Sequence, residues 1–214
     1  MSTLNLSILS EERRNVLPSF ISWKDEFYLA GGTALALQIG HRESVDFDFF
    51  SPHQFDTEVM MKRLSALFGE KLFTVTQVEK NTLSIILKAE IKISFMTYNY
   101  ELINPLILTE YLKIASIPDI ACMKLSAIMQ RSALKDYIDL FEIMKIFSLE
   151  QLLFFAKKKF PMIDETVILK SLSYLDDLID EPLIYKNNQT KPSLNILKQF
   201  FQNEVKKYLK KIIL

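Results

Sequence analysis

Strict alternation marks the stretch from residue 44 to residue 50. Val45, Phe47 and Phe49 fall on one side of an extended chain, and Ser44, Asp46, Asp48 and Phe50 on the other. The pattern predicts a strand. Three more strands are expected over residues 72–77, 82–88 and 91–96, whose strand–turn–strand rhythm suggests an antiparallel or mixed sheet beside the acidic strand. Helical spacing marks residues 9–23, which Pro18 should break or redirect, and residues 33–39, with Gly40 as the stop. Residues 56–68 read as an amphipathic helix, and 27–30 as a short buried strand or a last turn before two glycines.

From about residue 106 the pattern turns helical. Ser116, Pro118 and Asp119 form a helix-start signature, with Ser116 as N-cap and Asp119 as the reciprocal acid. That helix runs toward Arg131, and a second, beginning near Ser132, carries Lys135, Asp136 and Asp139. Further helices are expected over 149–160, 164–180 and 192–213, with Pro161, Pro182 and Pro192 in the connections. The expected fold class is α+β: a mixed α/β lobe over residues 1–105, then a helical lobe over 106–214.

Composition narrows the functional classes. Apolar residues make up 49% of the 214, enough for a substantial core. Lys+Arg and Asp+Glu each number 26, which excludes a globally basic nucleic-acid binder but not a local basic patch. The single cysteine, Cys122, has no intramolecular partner, and its apolar neighbours favour a buried, inert thiol. The first residues lack the pattern of a secretory signal, and no apolar run approaches the roughly 18–20 residues that cross a bilayer. A soluble, cytoplasmic protein without membrane contact is expected.

Candidate chemistry concentrates in YLAGGTALALQIGHRESVDFDFFS, residues 28–51. Only 4 residues of the chain are Gly, and Gly31-Gly32 uses two of them just before a helix. A helix start offers backbone N–H groups and a positive dipole end, both favouring phosphate, and Thr33 adds a hydroxyl. Asp46 and Asp48 share a strand face, where like charges repel unless a cation lies between them. An acidic strand edge often only faces solvent. A phosphate cradle followed by same-face carboxylates, however, is what metal-assisted phosphoryl or nucleotidyl transfer needs.

The stretch LAGGTALALQIGHRESVDFDFF resembles the core of the AbiEii/AbiGii-type nucleotidyltransferase toxins, within the DNA polymerase β-like nucleotidyltransferase superfamily. A second block, ASIPDIACMKLSAIMQRSALKDYIDLFEI, is similar to the C-terminal motif of the same family, and the two blocks together cover roughly a quarter of the chain. The resemblance implies a polymerase β-like lobe with a mixed sheet, followed by a helical lobe contributing Lys124 and Asp136 to a shared cleft. It implies an Mg²⁺-dependent enzyme, with Mn²⁺ as an alternative ion, moving a nucleotide from a nucleoside triphosphate to an acceptor hydroxyl. It also implies a toxin role, with tRNA or another RNA as candidate acceptor and a cognate antitoxin as protein partner. Carried over by position, Gly31, Gly32 and Thr33 hold phosphates, and Asp46 and Asp48 bind the metal. Lys124 stabilises the leaving pyrophosphate, Asp136 acts as base or orienting carboxylate, and Arg131 and Lys135 give supporting contacts.

Lys124, Arg131 and Lys135 would line one face of a continuous helix, and lose that alignment if the chain breaks near Ser132. Asp139 has two candidate roles, a helix-surface pair with Lys135 or a place in the site. Superfamily members commonly carry a third carboxylate on a neighbouring strand, and IKISFMTY places Ser94 there. Three readings follow: a single-metal site, substitution by Asp136 or Glu90, or a weakened enzyme that only binds nucleotide. Acceptors of the small-molecule, antibiotic type stay open as well. Arg42 could contact phosphate or pair with Asp46, His41 could be a general base, and Tyr98 and Tyr100 could stack on a base or simply pack. Lys198, Lys206, Lys207, Lys210 and Lys211 form either an RNA-contacting face or the polar side of a packing helix.

Overall fold

A computed structural model describes residues 4–178, 183–186 and 190–213. The expected connection residue Pro182, and the last two residues of the helix expected over 164–180, lie outside these. The chain divides into two units, Met1–Ser116 and Ile117–Leu214.

The first unit opens with α1 (Glu11–Val16), capped by Ser10, and a 3-10 segment, Leu17–Trp23, with Pro18 at its start. Leu17, Phe20 and Trp23 recur every third residue, the 3-10 period, and all three are buried on one face. Pro18 therefore retunes the helix rather than ending it. Next come β1 (Tyr28–Ala30), α2 (Gly31–Ile39), β2 (Asp46–Ser51), α3 (Thr57–Phe68), β3 (Phe73–Glu79), β4 (Thr82–Leu87) and β5 (Ile91–Thr97). Gly40 closes α2 in the left-handed region, φ 67°, as its position predicts. Asp56 caps α3 by accepting from the N–H groups of Glu58 and Val59.

The described strands form one mixed sheet in the order β3-β4-β5-β2-β1-β7-β6. Two short strands absent from the sequence reading, β6 (Ile107–Leu108) and β7 (Lys113–Ile114), extend the sheet beyond β1. They carry the first unit past the expected 105/106 boundary, because residues 106–116 still belong to the sheet. Paired residues of neighbouring strands share a face. Phe47, Phe49, Ile93 and Phe95 are at most 1% exposed and pack with Phe20 and Trp23 into the core. The opposite face carries Asp46, Asp48 and Phe50 on β2, and Lys92, Ser94 and Met96 on β5.

The second unit is helical: α4 (Ile117–Ile128), α5 (Leu134–Ile143), α6 (Leu149–Lys159), α7 (Glu165–Ser173) and α8 (Leu194–Ile213). α6 begins with a capping box between Ser148 and Gln151. Lys159 donates to Asp119 at 2.8 Å, with both side chains 1% exposed, tying α6 to α4. Cys122 is buried on α4, and burial pushes its thiol up to about 12, so it is inert as a nucleophile, as expected. α8 buries Leu197, Phe201 and Val205, and Lys198, Lys207 and Lys211 pair with Asp176, Glu204 and Glu150. Packing thus accounts for α8, while Lys206 and Lys210 stay exposed. No helix among the described residues is long and apolar enough to cross a membrane.

Candidate active site

The first unit places Gly31 against the Asp48 carboxylate. β1 pairs antiparallel with β2, setting Ala30 opposite Asp48, so the chain turns into α2 beside the acidic face. Gly31 takes φ +73°, and a Cβ there would lie 3.1 Å from Asp48 Oδ2. Gly31 is glycine for two reasons: its backbone conformation, and the carboxylate occupying the space of a side chain. A Cβ on Gly32 would lie 2.5 Å from Arg42 Nη2, so the guanidinium lies across that glycine. Arg42 is 4% exposed and donates from Nη1 to the Glu43 carbonyl at 3.0 Å. A carboxylate and a buried guanidinium thus flank one turn.

The start of α2 has no side-chain cap, because Ala30 stands at the N-cap. Alanine is a poor choice there, since it leaves the first amide N–H groups for another acceptor. Thr33 is 2% exposed; its hydroxyl donates to the Asp46 carbonyl and lies 2.7 Å from Ser44 Oγ. The hydroxyl thus ties α2 to β2. Arg13 braces the acidic strand, donating from Nε to the Val45 carbonyl at 3.0 Å.

Across the sheet, β5 runs parallel to β2 and sets Lys92 opposite Asp46 and Ser94 opposite Asp48. Ser94 thus stands beside Asp48 on the neighbouring strand. It is 4% exposed, and Ser84 Oγ donates to its hydroxyl at 3.1 Å. Lys92 is an exposed cation in the row of Asp46. Sequence reasoning missed it; the only signal was its place two residues before Ser94. His41 is buried, at 1% exposure. Tyr98 and Tyr100 pack ring to ring, centroids 4.9 Å apart, and Tyr98 meets Phe50 at 5.5 Å.

The second unit gathers its own cluster. Lys124 lies 2.8 Å from Asp136 and 2.6 Å from Asp139, and Arg131 Nε lies 2.8 Å from the other oxygen of Asp136. Both aspartates are fully buried. α4 ends at Ile128 and α5 starts at Leu134, so the expected single face of Lys124, Arg131 and Lys135 does not form. Lys124 and Arg131 converge on Asp136 instead, and Asp139 pairs with Lys124. Lys135, half-buried on the first turn of α5, stands directly before Asp136. Burial alone would push the Asp136 carboxyl up, but Lys124 and Arg131 outweigh it and hold it below the usual carboxylate range. A carboxylate so held is a weak base and a good orienting group.

No group of three or more His, Cys, Asp and Glu that could hold a metal occurs among the described residues. Asp46 and Asp48 offer hard oxygen donors on one half-buried face near the uncapped start of α2, a donor type that suits Mg²⁺.

Comparisons with known proteins identify the family and the fold. Residues 18–210 match the family model described as nucleotidyl transferase AbiEii toxin, type IV TA system. The chain is 38% identical over 209 residues to the uncharacterised protein aq_aa25 of Aquifex aeolicus, spanning 94% of this chain and 98% of that protein. Two solved structures share the fold. MenT4, the nucleotidyltransferase toxin Rv2826c of Mycobacterium tuberculosis, aligns with a TM-score of 0.56 at 16% identity, covering 91% of this chain and 80% of that one. JHP933 of Helicobacter pylori aligns with a TM-score of 0.51 at 17% identity, covering 95% and 97%. With the family model spanning both sequence blocks, the chain belongs to the AbiEii nucleotidyltransferase toxin family of type IV toxin–antitoxin systems.

Proposed function

We propose that the chain moves a nucleotide from a nucleoside triphosphate to an acceptor hydroxyl, with one Mg²⁺ held by Asp46 and Asp48 and pyrophosphate leaving. The observation that carries this reading is the Asp48 carboxylate standing where a Gly31 side chain would be, which sets metal-binding oxygens beside the uncapped start of α2. When bound, Mg²⁺ neutralises phosphate charge and lowers the pKa of the attacking hydroxyl. The amides at the start of α2 take phosphate oxygens, with Arg42 supplying fixed positive charge behind them. Thr33 and Arg13 hold the backbone of the acidic strand at Asp46 and Val45. Lys92 adds a positive charge in the row of Asp46.

In the helical unit, Lys124 and Asp136 carry the roles their sequence block implies, charge stabilisation and an orienting carboxylate. Arg131 anchors Asp136, and Lys135 is a supporting phosphate contact. Ser94, already engaged with Ser84, supports a single cation rather than a pair. The acceptor is an RNA end, tRNA first among the candidates, and a cognate antitoxin is the protein partner.

Incubation of the chain with α-labelled triphosphates, Mg²⁺ and total RNA tests this. Label is expected in the RNA pool. Label in none of the RNA, protein and small-molecule pools, despite saturable triphosphate binding, contradicts it; label confined to small molecules contradicts the RNA acceptor alone.

A further inference from the structure

Beyond Asp48 the same sheet face changes character. The next residue on that face of β2 is Phe50, opposite Tyr28 on β1 and Met96 on β5. Tyr98, whose N–H donates to the Ser51 carbonyl, continues the row past the end of β5. Ring contacts run from Tyr28 to Phe50 (6.1 Å, near-parallel), from Phe50 to Tyr98 (5.5 Å) and from Tyr98 to Tyr100 (4.9 Å). This aromatic row is separate from the core, which lies on the other face with Phe47, Phe49 and Phe95. Its exposure also rises along its length. Tyr28 is 4% exposed, Phe50 and Tyr98 are half-buried, and Tyr100 is 47% exposed.

We propose that Phe50, Tyr98 and Tyr100 form a nucleobase-stacking shelf beside the Asp46/Asp48 site. The proposal rests on the nucleotidyltransferase reading and adds where the base lies. Asp48 and Phe50 are two residues apart on one strand face, roughly 6–7 Å, a gap that a ribose bridges between a metal-bound phosphate and its base. Every base has a π-face, so a shelf of this kind gives affinity with little base preference. Phosphate oxygens thus fall at the Asp46 and Gly31 end, and the flat apolar part of the ligand at the aromatic end. Two sources share this chemistry: the base of the incoming triphosphate, and the base at the end of the acceptor RNA.

Calorimetric titration of Tyr98→Ala, Tyr98→Phe and Tyr100→Ala with nucleoside triphosphates, with tripolyphosphate and with a short single-stranded RNA tests the shelf and separates the sources. The alanine variants are expected to bind base-bearing ligand roughly tenfold more weakly, Tyr98→Phe to stay close to wild type, and tripolyphosphate affinity to stay unchanged. A loss confined to triphosphates assigns the shelf to the incoming nucleotide, and one confined to RNA assigns it to the acceptor. Equal losses for tripolyphosphate and triphosphates would overturn the shelf, because damage is then not base-specific. Variants matching a wild type that binds and transfers would overturn the shelf alone. A wild type that binds neither ligand overturns the shelf together with the reading beneath it.

Discussion

Gly31 and Asp48 stand on different elements, yet a Cβ on Gly31 would lie 3.1 Å from Asp48 Oδ2. The missing side chain leaves room for the carboxylate beside the start of α2. Gly31→Ala is therefore expected to fail twice. A left-handed alanine costs about 1–2 kcal/mol, and the methyl displaces the carboxylate. Chemical denaturation should show a stability loss of that size, with loss of nucleotide transfer well beyond it. A Gly31→Ala enzyme transferring at the wild-type rate would show that Asp48 need not stand where it does.

Ser94 faces Asp48 across β2 and β5, so a carboxylate there would stand beside the two on β2. Ser94→Asp is expected to raise the Mn²⁺ bound per chain, with a non-hydrolysable triphosphate, from about one to about two. Two ions already bound by the wild type would refute the single-cation site.

Lys159 and Asp119 form a buried ion pair, and removing one charge takes this partner from the other inside the core. Lys159→Met should destabilise the fold by about 3–5 kcal/mol, and adding Asp119→Asn should recover part of it. Urea denaturation of the two single variants and the double variant checks this. Additive losses would mean that the pair is not coupled.

Asp136 carries a pH prediction. Its carboxyl lies below the usual range in the fold, so the charged form is favoured there. Its contribution to stability is complete above the unfolded value, about 4, and is lost as pH falls through the lower folded value. Unfolding free energy measured from pH 6 downward should drop more steeply below about pH 4 in the wild type than in Asp136→Asn. Identical slopes would contradict the assignment.

Periodicity made the acidic strand legible, because Phe47 and Phe49 must be buried and so turn Asp46 and Asp48 to the other face. The left-handed stop at Gly40 was legible from a single residue, whereas Asp56, read as the first residue of a helix, is its cap. β6 and β7, of two residues each, are too short for an alternating pattern and exist only through pairing with the sheet. Lys92 escaped notice because its neighbour Asp46 is set by a parallel pairing that local sequence does not encode. The partners of Lys124 were hidden for a related reason: the break between α4 and α5 decides which carboxylates it meets.

The most direct test compares transfer of label from α-labelled triphosphates by the wild type, Asp46→Asn and Asp48→Asn, each with Mg²⁺ and with chelator. The expected result is metal-dependent transfer that falls on the order of a hundredfold or more in either variant, with thermal unfolding unchanged. Transfer that survives both substitutions, or survives removal of divalent ions, would contradict a cation held between these two carboxylates.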